Sequence, residues 1–136
     1  MINVEELKQE NQTINDLSKV LHHLIEDEQL RSNPVFCELM ERFNKNVEAH
    51  LSHEDRSVYS NLLNNEDRYI HNMADQFMTN THELRRLMKD FVKRWCNSKN
   101  DNDEHDAFVD STREIFNLVD RRIDLENSML FPAIAE

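Results

Sequence analysis

The sequence predicts an all-α protein folded as an up-down-up-down four-helix bundle. Three observations point there. No Gly and only two Pro occur among 136 residues, so tight β-turns and glycine-rich phosphate loops are essentially excluded. Apolar residues recur at spacings of three and four almost throughout, the period of a helix face. The interruptions are short, which makes consecutive helices antiparallel neighbours. The length suits one domain over 1–136, with enough chain to bury a true core.

Helix one is predicted over 4–29, with Leu7, Ile14, Leu21 and Ile25 as its apolar stripe and Asn11 in a stripe position. Asn33-Pro34 marks a restart, since Asn caps a helix and Pro suits its first turn. Helix two follows over 34–63. Phe36, Met40, Phe43 and Val47 give its stripe, and the next members are His50 and Glu54. Helix three is predicted over 67–96, with Ile70, Ala74, Phe77, Leu84, Met88, Phe91 and Trp95 inward and Thr81 among them. Met78 and His82 lie one turn apart on its flank. Residues 98–104 are a polar loop that lacks the Gly and closing Glu of a calcium site. Helix four is predicted over 105–130. Phe108, Ile115, Val119 and Leu130 form its stripe, with Arg122 and Glu126 where apolar residues are expected; Phe131-Pro132 should end it.

The formal net charge of −11 argues against nucleic acid and anionic membrane surfaces as partners. No apolar run approaches the ~20 residues of a membrane span. The acidic N-terminus lacks a signal-peptide core, so the chain is expected in the cytoplasm. Cys37 begins helix two and Cys96 ends helix three. They should lie at the same end of the bundle as neighbouring reduced thiols, a possible redox pair.

Burying His50, Glu54, Arg122 and Glu126 costs several kcal/mol unless they pair or hold a cation. Counting levels from each turn at ~1.5 Å per residue brings these groups together. His50 falls near His82 and opposite 11–15, Glu54 near Met78, and Met78 opposite Arg122. Facing polar side chains in a bundle core are how such folds build metal sites.

With these residues in place, the chain resembles the hemerythrin-like family, over nearly its whole length. His50-Leu51-Ser52-His53-Glu54-Asp55 and the following Val58-Tyr59 resemble the family's second-helix signature. Thr81-His82-Glu83-Leu84 resembles its third-helix histidine segment, and Leu125-Glu126 through Phe131-Pro132 the end of its fourth helix. The resemblance implies a four-helix bundle holding a non-haem di-iron centre that binds or senses dioxygen or a related ligand. It implies His50, Glu54, His82 and Glu126 as metal ligands; His53, close by in sequence, and Met78, one turn from His82, are candidate accessory groups beside them. Two ligand positions depart: Asn11 stands where the family has a histidine on helix one, and Arg122 where it has another on helix four.

Two functions follow. One is a metal-binding module with a reduced ligand set for one or two iron ions, or zinc. The other is a metal-free bundle in which Arg122 replaces the cation, acting as a protein-interaction or regulatory module. No nucleophile stands with its base, so no catalytic residue is assigned.

Overall fold

Helix α1 (Val4–Leu24) starts where Asn3, in an extended conformation, accepts a hydrogen bond from Glu6 N. Glu5 and Glu6 in its first turn and His22 and His23 in its last complement the helix dipole. These details come from a computed structural model, which describes residues 2–27, 29, 33–96 and 105–134. The 98–104 loop lies outside the described residues. Asn33 caps the second helix through Val35 N, with Pro34 in the first turn. This helix, α2, runs as Pro34–Glu54, passes through a π-helical stretch at Asp55–Tyr59 and ends as Ser60–Leu63. Asp67 caps α3 (Arg68–Trp95) through Tyr69 N. The last helix, α4, runs as His105–Leu125, passes through a second π-helical stretch at Glu126–Leu130 and closes as Phe131–Ile134.

Contacts join α1 to α2 and α4, and α3 to α2 and α4, so the four helices stand at the corners of a square. Helices α2 and α3 match the expected spans to within a residue, while α1 stops at Leu24, short of the expected 29, and α4 runs past the expected 130. Pro132 does not end α4. The π-helical stretch has already shifted the ladder, so Phe131 N bonds to Glu126 O, five residues back. Pro132 then sits near the start of a fresh turn, where its missing N–H matters least.

The apolar interior falls into two parts. One, toward the Cys37 and Cys96 end, packs Leu21, Phe36, Phe43, Phe91, Trp95, Phe108 and Phe116 among others. The other packs Leu7, Val58, Tyr59, Leu62, Phe77, Leu130 and Phe131. Between them lies a polar layer with one or two residues from each helix: Asn11, His50, Glu54, Thr81, Arg122 and Glu126, all buried. Both π-helical stretches begin at this layer. The first follows the buried Glu54 and the second starts with the buried Glu126, and residues four and five positions beyond each carboxylate are buried: Val58 and Tyr59 after Glu54, Leu130 and Phe131 after Glu126. The extra residue of a π turn lets both side chains of each pair face inward, and such turns gather at functional sites.

Cys37 and Cys96 form a disulfide, with Cα atoms 5.7 Å apart. This corrects the expectation of reduced thiols. The level count placed both cysteines at one end, and the first turn of α2 then meets the last of α3 within bridging range. Among the described residues no helix is long and apolar enough to cross a membrane.

Candidate functional site

Arg122 is the hub of the polar layer. It comes from the stripe of α4, between Val119 and Glu126, and only 4% of its surface is exposed. Its guanidinium has five N–H groups, and all five find acceptors. Nε donates to Glu126 Oε2 at 2.7 Å. Nη1 donates to the Phe77 carbonyl at 3.1 Å and to Asn80 Oδ1 at 2.8 Å. Nη2 donates to Glu54 Oε1 at 3.0 Å and to the Tyr59 hydroxyl. The same group lies 5.0 Å from the centre of the Phe77 ring, a favourable place for a cation. One planar fork therefore binds carboxylates from α2 and α4 and a carbonyl from α3.

His50 occupies the other side of Glu126. Its Nε2 lies 2.8 Å from Glu126 Oε1, and its Nδ1 lies 2.8 Å from Glu10 Oε1. Two carboxylates on two ring nitrogens call for the imidazolium, which donates from both. Burial, the largest single influence on His50, favours the neutral ring. The Glu126 hydrogen bond and the charges of Glu126 and Glu54 outweigh it and push the pKa up to about 9. Asn11 Nδ2 donates the third hydrogen bond to Glu126, at 2.8 Å. Burial alone would raise Glu126, but His50 and Arg122 pull its pKa down to about 2. Glu54 goes the other way. Burial and the neighbouring Glu126 charge raise it to about 8, despite His50 and Arg122. At neutral pH the layer thus holds a protonated Glu54 beside an ionised Glu126, one proton serving two carboxyls.

The structure brings together five residues singled out in the sequence: Asn11, His50, Glu54, Arg122 and Glu126. His82 is not among them. It is exposed on α3, and the inward place at that level belongs to Thr81. The level count was right along the axis and wrong around it. The stripe runs Phe77, Thr81, Leu84 and Met88, and His82 is turned one residue beyond it. Thr81 satisfies its own hydroxyl by donating to the Phe77 carbonyl at 2.9 Å. Met78 is half-buried against the apolar part below the layer. His53 is half-buried at the edge, its Nδ1 2.8 Å from Glu10 Oε2.

Three participants went unpredicted. Glu10 is on the flank of α1, next to Asn11, and reaches inward only because two histidines face it. Tyr59 and Asn80 enter through the π-helical turn and through Arg122, and α-helical periodicity signals neither.

One ligand-type atom each from His50, Glu54 and Glu126 lies within 4.8 Å of the others, the arrangement a cation would need. Two side-chain oxygens of the layer, Asn11 Oδ1 and Glu54 Oε2, have no hydrogen-bond partner among the described residues. Even so, the di-iron centre implied by the resemblance does not fit these residues. The only buried imidazole among the described residues has both nitrogens committed to carboxylates, so it has no lone pair for a metal. Arg122 already bonds both carboxylates and fixes a positive charge between them. A cavity of about 140 Å³ beside Met73, Leu125 and Met129 reaches the guanidinium, yet no N–H there is free for a ligand. A larger groove, near Asn44, Met88 and Lys89 between α2 and α3, does not touch the layer.

No curated protein and no solved structure matches the chain. A family model does: that of the hemerythrin HHE cation binding domain, over residues 3–134. With that match across nearly its whole length, on a four-helix bundle carrying buried histidine and carboxylate groups, the chain belongs to the hemerythrin HHE cation-binding domain family.

Proposed function

We propose that this protein is a member of its family whose core does without metal, a protein-interaction or regulatory module in which the Arg122 guanidinium takes the place of the bridged cations. The single observation that carries this reading is the saturation of Arg122: five donors, five acceptors, two of them carboxylates of the layer. A cation entering there would have to displace the guanidinium and deprotonate His50, two costs that add. With the core closed by its own charges, recognition falls to the surface. The test is elemental analysis of tag-free protein from iron-replete cells, followed by anaerobic Fe(II) titration beside Arg122→His. The parent is expected to carry no iron and to bind none in the core. Arg122→His removes the fixed charge and adds a nitrogen donor beside Glu54 and Glu126, so its iron uptake should rise. A parent with two irons per chain and the near-ultraviolet absorption of an oxo-bridged ferric pair would overturn the proposal in favour of a metal-binding, dioxygen-type module.

A further inference from the structure

Outside the buried layer, a second group of metal-type ligands stands at its mouth. Glu6 and Glu10 are one turn apart on α1, and His53 faces them from α2. One ligand-type atom of each lies within 4.8 Å of the other two. We propose that Glu6, Glu10 and His53 form a site for a single divalent transition-metal cation of the zinc class.

Four features of the group support a cation there, in contrast to the core. The donors are one imidazole and two carboxylates, a borderline set that suits Zn²⁺, Co²⁺ or Ni²⁺ and leaves positions for water. The side chains of His53 and Glu10 are 19% and 29% exposed, so water can complete the coordination and the ion need not be fully stripped. The Glu6 carboxylate has no hydrogen bond or ion pair among the described residues, and His53 uses only Nδ1, toward Glu10 Oε2. Among the described residues no Arg or Lys side chain pairs with any of the three, so none supplies a competing fixed charge.

Glu10 joins this site to the layer behind it. Oε2 faces His53 and Oε1 accepts from His50 Nδ1, each at 2.8 Å. His50 therefore orients the carboxylate that would take the ion, the role outer partners play in metal sites. The site is separate from the ligand set of the core and does not depend on whether the core binds metal.

Titration of the full, tag-free chain with Co²⁺, read by calorimetry and by broadening of the His53 ring signals, tests the site. The parent should bind one Co²⁺ per chain at the mouth. His53→Ala should weaken binding by about tenfold or more, and Glu6→Gln should weaken it too, with helical circular dichroism unchanged in both. Glu54→Gln, which alters only the core, should bind Co²⁺ like the parent. Failure of the parent to bind at millimolar Co²⁺, or parent-like binding by both His53→Ala and Glu6→Gln, would overturn the proposal. Loss of binding in Glu54→Gln alone would place the ion in the core and overturn the reading of a core without metal as well.

Discussion

Truncating Arg122 to Ala tests the hub of the layer. The substitution removes five hydrogen bonds and a charge whose side chain is 3% exposed. It leaves Glu126 ionised beside a proton-sharing Glu54, and takes a donor from Asn80 Oδ1, the Tyr59 hydroxyl and the Phe77 carbonyl, the last two keeping Thr81 as a partner. Breaking a buried ion pair from one side costs roughly 3–5 kcal/mol. For a chain of this length each kcal/mol lowers the melting temperature by about 3–4 °C, so the expected fall is roughly 10–18 °C. Arg122→Lys should fall between the two proteins, since an ammonium keeps the charge but offers three donors, without the planar fork. Urea and thermal unfolding followed by circular dichroism at pH 6 would read both. If Arg122→Ala lies within about 0.5 kcal/mol of the parent, the ordinary scatter of surface substitutions, Arg122 is not the counter-ion of the carboxylates.

Three further outcomes follow from the same network. Glu54→Gln should stabilise the protein at pH 7 rather than weaken it, because the folded carboxyl is protonated while the unfolded one is ionised and Gln needs no proton, whereas Glu126→Gln should cost about 3 kcal/mol; equal losses in denaturant melts would contradict the assignment of the proton. Stability should peak near pH 4.5, decline from there as the Glu54 contribution is lost, and decline more steeply above 6.5 as that of His50 follows. Glu54 and His50 have raised pKa values, so their contributions are complete below 4.5 and 6.5 and are lost as pH rises toward 8 and 9. Glu126 has a lowered pKa, so its contribution is complete above 4.5 and is lost toward 2; a stability that climbs steadily from pH 6 to 9 would refute this. The Cys37–Cys96 disulfide closes a separation of 59 residues, so reduction should cost roughly 4 kcal/mol by loop entropy; reactive thiols in the denatured, unreduced protein would show that the bridge does not form.

The bundle was legible because its signals are periodic. Stripes such as Phe36, Met40, Phe43 and Val47 state which face is buried, and Asn33-Pro34 states where a helix begins. The polar layer was legible for the same reason: His50, Glu54, Arg122 and Glu126 stand out only as breaks in an apolar stripe. His82 was misplaced because a family segment and a level count fix position along an axis, and its neighbour Thr81 fixes the face. Glu10 was hidden by being a surface-type residue whose role depends on two histidines from another helix. Tyr59 was hidden by the π-helical turn, which moves it half a face from where an α-helix would put it. The Cys37–Cys96 pairing depends on the approach of two helix ends, and spacing within one sequence does not measure that.

In the proposed function, Arg122 stands where the family's cations would. Anomalous diffraction at the iron edge, from crystals grown under anaerobic Fe(II), tests it most directly. The expected map shows no iron peak between Glu54 and Glu126, with the guanidinium bonded to both carboxylates in that place. Two iron peaks there, with Arg122 swung toward solvent, would contradict it.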